Sequence, residues 1–164
     1  MSLRLILHAL AAAAALLVAS ACGFHLQGHK ALPAPLRVSY VQAADRQSDF
    51  VQYLRKQLLS SGARLTTTSE DATAVVRVVT DNFQRRVLSV SVTDQPAEYE
   101  ITYTVRFAVN FGDKEVLPVQ ELSAVRDYTF DETILLAKEN EEAILREALA
   151  RDLADVVMRR LANL

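Results

Sequence analysis

AEYEITYTVRFAVNF, residues 97–111, alternates without a break: Tyr99, Ile101, Tyr103, Val105, Phe107, Val109 and Phe111 are apolar or aromatic. Between them stand Glu98, Glu100, Thr102, Thr104, Arg106, Ala108 and Asn110. Successive side chains of a strand point to opposite faces, so this period of two predicts one long antiparallel strand with a buried face and a wet face. At about 3.3 Å per residue it spans close to 50 Å. A strand of that length needs neighbours on both sides and a cover on its apolar face.

The neighbours lie on either side in the sequence. Gly112-Asp113 reads as a turn, and Val116–Phe130 as the returning strand, with Pro118 imposing a bulge or an edge position. Upstream, Gln84–Val92 reads as a strand with Leu88, Val90 and Val92 on one side and Arg85, Val87, Ser89 and Ser91 on the other. Thr73–Thr80, rich in Val75, Val76, Val78 and Val79, and Arg64–Thr68 read as two more strands around the polar turn Ser69-Glu70-Asp71. Leu36–Val41 completes the set, with Leu36, Val38 and Tyr40 expected on one face.

Two helices supply the cover. The first is capped by Ser48 or Asp49, carries Phe50, Val51, Leu54 and Leu58 at helical spacing, and stops at Gly62. The second occupies Glu132–Leu161, capped by Asp131 or Thr133, with Leu145, Leu149, Leu153 and Val156 as its apolar stripe. Polar Lys138–Glu142 marks a kink or a fresh start in it. Glu142 with Arg146, Glu147 with Arg151, and Asp155 with Arg159 are acid-before-base pairs four apart, expected to bridge along the helix. The expected class is α+β, an antiparallel-rich mixed sheet with two helices packed on one face.

Ahead of the domain, Arg4 precedes an apolar run, Leu5–Val18, broken only by His8, and Ala19-Ser20-Ala21 supplies small residues before Cys22, the only cysteine. That is the pattern of a signal peptide over residues 1–21, too short and Ala-rich to favour a retained span. Val18-Ala19-Ser20-Ala21-Cys22 resembles a bacterial lipobox, with Ala19 where Leu is usual; the resemblance implies a lipid on Cys22. An ordinary secretory cleavage near Ala21, leaving a free thiol, is the alternative. Two or more acyl chains make a durable anchor where one does not. Gly23 instead of Asp after the cysteine resembles the lipoproteins sorted to the outer membrane. Residues 22–35, with Gly23, Gly28, Pro33 and Pro35, form a tether, and 36–164 a single domain.

The composition excludes several chemistries. The net charge is −2, and loss of Arg4 makes the remainder one unit more acidic, so nothing pulls it toward nucleic acid. His8, His25 and His29 all lie outside the expected domain, which removes Ser-His-Asp and Cys-His catalysis and a His/Cys zinc site. Paired carboxylates, Glu98 with Glu100 or Asp131 with Glu132, are the remaining catalytic option. Against it, a solvent face explains the first pair and a helix start the second. No glycine-rich phosphate loop occurs. Two cationic spots stand out, Arg85-Arg86 at a strand edge and Lys138 before the long helix, either able to meet an anionic headgroup through charge-assisted hydrogen bonds; surface charge that serves solubility alone is the alternative.

Three passages carry a resemblance to a known family. Cys22-Gly23-Phe24-His25-Leu26-Gln27-Gly28, Ala97-Glu98-Tyr99, and Tyr128–Asp131 with Leu135–Glu142 leading to Arg159-Arg160-Leu161 together resemble the LPS-assembly lipoproteins LptE (RlpB). The family often carries Arg where this chain has Gln27, so that position receives no charge-dependent role. The resemblance implies no enzyme and no cofactor beyond the lipid on Cys22. It implies a one-to-one complex in which the domain plugs the lumen of the β-barrel LptD and helps it assemble. It also implies contact with lipopolysaccharide on its way to the outer leaflet. Lys138 is carried over from the matching passage as an LPS contact; Arg85 and Arg86 rest on charge and position. The rivals are a free-standing lipoprotein that binds a small ligand or peptidoglycan, and a hydrolase using Glu98, Glu100 or Asp131.

Overall fold

The computed structural model describes residues 32–129 and 135–164, the side chains of 135–140 excepted. Cys22, the signal peptide, most of the tether, Phe130, the Asp131–Glu132 pair, the caps expected at Asp131 or Thr133 and the Lys138 side chain lie outside the described residues.

Five strands form one mixed sheet in the order β2-β1-β3-β4-β5. They are β1 (Val38–Gln42), β2 (Arg64–Leu65), β3 (Ala74–Val90), β4 (Pro96–Phe111) and β5 (Lys114–Thr129). The two helices are α1 (Asp49–Ser60) and α2 (Leu135–Leu161). β1 runs parallel to both β2 and β3, while β3, β4 and β5 form an antiparallel meander. The class is the α+β expected, with both helices packed against the sheet.

β4 behaves as its alternation requires: Ile101, Tyr103, Val105, Phe107 and Val109 are buried under the helices. The register shift between Phe107 and Val109 puts an extra residue into β5 around Pro118, the bulge that proline imposes on an edge strand; Ala108 of β4 is buried as well. Gly112 takes φ +56° in the turn that follows, a conformation that favours glycine.

Upstream, the structure corrects the expectation. Thr73–Thr80 and Gln84–Val92 are one strand, β3, 17 residues long. A bulge at Val79 changes its parity: Val76 and Val78 pair with Val109 and Phe107 in the core, after which Asp81, Phe83 and Arg85 take the helix side opposite Val105, Tyr103 and Ile101. The apolar alternation breaks where the backbone does not. A second bulge at Leu88 separates Val87, opposite Tyr99, from Ser89, opposite Glu98.

The strand expected over Arg64–Thr68 shrinks to Arg64–Leu65. In β1 the buried residues are Ser39 and Val41, not Val38 and Tyr40, because a 3-10 turn over Ala34–Arg37 takes Leu36 out of the strand and resets the facing. Ser39 is tolerated inside because its Oγ donates to Leu36 O at 2.7 Å.

α1 is as expected: Ser48 caps it by accepting from Val51 N, and Phe50, Val51, Leu54 and Leu58 are fully buried. Gly62, at φ +85°, ends it. α2 runs as one helix from Leu135, so Lys138–Glu142 is not a fresh start. Its stripe is Leu149, Leu153, Val157 and Leu161 with Ala150, Ala154 and Met158; Val156 is only half-buried. The true stripe keeps a step of four, and small alanines let the helix approach the sheet and α1 closely.

The ion pairs expected along α2 mostly leave it. Glu147–Arg151 forms at 3.7 Å, but Arg146 reaches Asp49 of α1 at 2.7 Å and Glu142 reaches Arg85 of β3 at 2.6 Å. Asp155 accepts from Gln57 of α1 at 2.5 Å. These side chains fasten the helix to its neighbours.

Candidate functional site

β1 pairs with β3 only over Ser39–Gln42 against Ala74–Arg77. Beyond that, β3, β4 and β5 project as a three-stranded sheet whose two outer strands pair with no further strand among the described residues. Arg85 and Arg86 sit on the free-edge part of β3, as the sequence reading places them, but they point to opposite faces and do not form one cationic patch.

The helix face holds Arg85. Its Nη1 donates to Glu142 Oε2 at 2.6 Å, and Tyr128 donates its hydroxyl to the same oxygen at 2.9 Å. The guanidinium lies 4.8 Å from the centroid of the Tyr99 ring, which stacks on Tyr128 at 5.7 Å. The bond to Glu142 holds the Arg85 proton above the usual arginine range, and burial followed by Glu142 raises the Tyr128 phenol. Arg85 nevertheless keeps 48% of its side chain exposed. Lys138 lies one helical turn ahead of Glu142, at the same end of the sheet.

Among the described residues, no helix covers the opposite face. Thr80, Asn82, Gln84 and Arg86 of β3 stand beside Arg106, Thr104, Thr102 and Glu100 of β4, which in turn face Glu121, Ser123, Val125 and Asp127 of β5. Here Arg86 makes a two-pronged bond to Glu100, Nε to Oε1 at 2.6 Å and Nη2 to Oε2 at 2.9 Å. That bond holds the Glu100 carboxyl below its usual range. Ser89 donates to Glu98 at 2.7 Å, and Arg106 lies 3.7 Å from Glu121. An open cleft of about 360 Å³ is lined by Gln84, Arg85, Arg86, Glu100 and Thr102.

Glu98 and Glu100, the carboxylates weighed as a catalytic pair, are therefore engaged by Ser89 and Arg86. Both sit on a flat, solvated face, not in a desolvated pocket that would raise one carboxyl to serve as an acid. Among the described residues no cluster of metal-ligating side chains forms, and no helix is long and apolar enough to cross a membrane.

Sequence reasoning missed Tyr99, Tyr128 and Glu142 as the partners of Arg85, and Glu100 as that of Arg86. The alternation marks Tyr99 as buried, but only the strand register brings Tyr128 opposite it. Glu142 is four residues from Arg146, which made the local pair look sufficient.

The profile of the LptE family, described as lipopolysaccharide-assembly, matches residues 36–161. The LPS-assembly lipoprotein LptE of Pectobacterium atrosepticum is 25% identical over 154 residues, covering 92% of this chain and 82% of the relative. That of Photorhabdus laumondii subsp. laumondii is 26% identical over 148 residues, covering 90% and 80%. The crystal structure of rare lipoprotein B from Shewanella oneidensis superposes with a TM-score of 0.66 at 28% identity, over 77% of this chain and 94% of its own. A lipoprotein B from Nitrosomonas europaea, solved by NMR, shares the fold at a TM-score of 0.69, 24% identical over 85% and 90% of the two chains.

Proposed function

Because the chain belongs to the LptE lipopolysaccharide-assembly family, we propose that it is a lipoprotein of the outer membrane that plugs the LptD β-barrel, helps that barrel assemble and binds lipopolysaccharide during its insertion. The family is one of lipoproteins in lipopolysaccharide assembly, which is not a class of enzyme, and the domain works by contact, without catalysis. Acyl groups on Cys22 anchor it, and the tether of residues 22–35 keeps it within reach of the membrane and at high effective concentration beside its partner.

One observation carries the plug reading: the uncovered face of the long β3-β4-β5 sheet is almost wholly polar, from Thr80 to Arg86 and from Glu98 to Arg106. Burying such a face against hydrocarbon costs several kcal/mol for each unpaired polar group. The interior of an outer-membrane barrel is polar and wet, so this face fits there with its hydrogen bonds intact. Lipopolysaccharide phosphates meet cations at the end of the sheet that carries Arg86, Arg85 and Lys138. Arg86 is accessible on the open face, Arg85 is shared with Glu142 on the helix face, and Lys138 falls in the first turns of α2.

Purification of the tagged chain from membranes in mild detergent tests the complex: a stable one-to-one assembly with a large β-barrel is expected, and recovery of the chain alone contradicts it. For the ligand, Lys138→Glu and Arg86→Glu should each weaken binding of labelled lipopolysaccharide severalfold, more so at low salt, with unchanged far-UV circular dichroism. Binding that ignores both substitutions and the salt concentration removes these residues from the site.

A further inference from the structure

The β3–β4 hairpin ends in an apolar tip that stands in solvent. Val87, Leu88, Val90 and Val92 are 48%, 45%, 58% and 105% exposed. Apolar residues scattered singly over a surface need no explanation, whereas a run of them on a projecting end marks an interaction site. The tip closes on itself: Ser91 N donates to Gln95 O at 2.7 Å, Asp94 N donates to Ser91 O at 3.1 Å, and Asp94 adopts φ 58°. Its turn thus meets much of its own hydrogen-bonding need and can leave water at low cost. From Val87 to Gln95 the sole charge is Asp94, the other polar residues being Ser89, Ser91, Thr93 and Gln95. Arg86 and Arg85 follow directly below. Apolar end first and cations next is the order of an anionic amphiphile read from its tails to its headgroup.

Position supports the same occupant. The chain enters the domain at the other end of β3, where Leu32 is buried and Thr73 Oγ1 donates to Pro35 O. The 17 residues of β3 separate the two ends by roughly 55 Å at about 3.3 Å per residue. The stretch from Cys22 to Leu32 reaches at most about 35 Å. A domain standing upright beside its anchor therefore places the tip in the acyl layer of a bilayer about 40–45 Å thick when the tether is extended, and at its far side when the tether is drawn in.

We propose that the tip is an acyl-chain docking site: Val87, Leu88, Val90 and Val92 receive the fatty-acyl tails of lipopolysaccharide while Arg86 faces its phosphates. This rests on the lipopolysaccharide reading above and assigns the part of the ligand that the cations do not explain.

The chain has no tryptophan, so Val92→Trp makes the tip its single reporter. The full-length lipidated chain is placed in phosphatidylcholine vesicles and titrated with hexa-acylated lipid A, and in parallel with fully deacylated lipopolysaccharide, the binding of each being measured by a radiolabel. The expected result is solvent-exposed emission in phosphatidylcholine alone and a blue shift with lipid A. Deacylated lipopolysaccharide is expected to bind without a shift. Lipid A that binds without shifting the emission overturns the tip and leaves the lipopolysaccharide reading standing, whereas failure of both ligands to bind overturns both. Emission already blue-shifted in phosphatidylcholine alone identifies a general bilayer-inserting surface and also overturns the proposal. A Leu88→Ser, Val90→Ser, Val92→Ser variant, changed only at exposed positions, should bind lipid A about tenfold more weakly and deacylated lipopolysaccharide as before. Equal losses for the two ligands, or none, contradict the assignment.

Discussion

Arg85 and Arg86 are neighbours in sequence and strangers in space. One lies under α2, sharing Glu142 with Tyr128, and the other lies on the open face, clamped to Glu100. Their charge made them legible in the sequence; their partners were not, because those depend on strand register and on where a helix 57 residues away comes to rest. The Arg85–Glu142 bridge is about half exposed on the arginine side, so its stabilising effect is small. A double-mutant cycle of Arg85→Gln and Glu142→Gln should give a coupling below about 1 kcal/mol in urea unfolding. A coupling of several kcal/mol would mean that the cluster is sealed from water. The phenols act in the alkaline range. Burial, then Asp81, raises Tyr103, and burial, then Glu142, raises Tyr128. A group whose folded pKa is raised contributes stability that is fully present below its unfolded value, about 10 for tyrosine, and lost as pH climbs through the folded value. Urea midpoints should therefore fall as pH rises above about 10, and Tyr103→Phe should flatten that fall; an identical slope in the variant contradicts the assignment. Glu100 has the opposite sign: lowered by Arg86, it contributes above the usual carboxylate range and is lost in acid.

At the scale of elements, β4 could be read directly because its alternation runs unbroken from Tyr99 to Phe107 and every apolar position from Ile101 on meets the core. α1 was equally plain, its Ser48 cap and Gly62 stop both falling where the sequence put them. β3 was not, since the bulge at Val79 switches the buried parity and a two-residue period cannot follow a backbone irregularity. α2 ends at Leu161 as the sequence predicts, but its stripe shifts by one residue near the end, where Val156 and Val157 are chemically alike. Phe107 is fully buried where β4 passes beneath the helices. Phe107→Ala should cost about 3–5 kcal/mol in chemical denaturation, through lost burial and the cavity left behind. A loss below about 1 kcal/mol would mean that this layer is not the core.

The described residues form a two-helix body with a long sheet growing out of it. The body explains stability: α1, α2, β1, the first part of β3 and the later part of β4 hold most of the buried side chains. The projecting sheet buries Ile101, Tyr103, Val105 and Tyr128 on its helix side and exposes a polar face and an apolar tip, a shape that makes sense as a surface for a partner. That division was only partly legible beforehand. The period of two announced the length of the strand, but the sequence did not show that β1 stops pairing at Gln42 and leaves the rest of β3 uncovered. The most direct test of the plug is photocrosslinking in living cells from a benzoylphenylalanine placed at Thr102 or Thr104, on the open face of β4. Adducts with one large outer-membrane β-barrel are expected from both positions; free chain without adducts, or adducts to soluble periplasmic proteins alone, would contradict the plug.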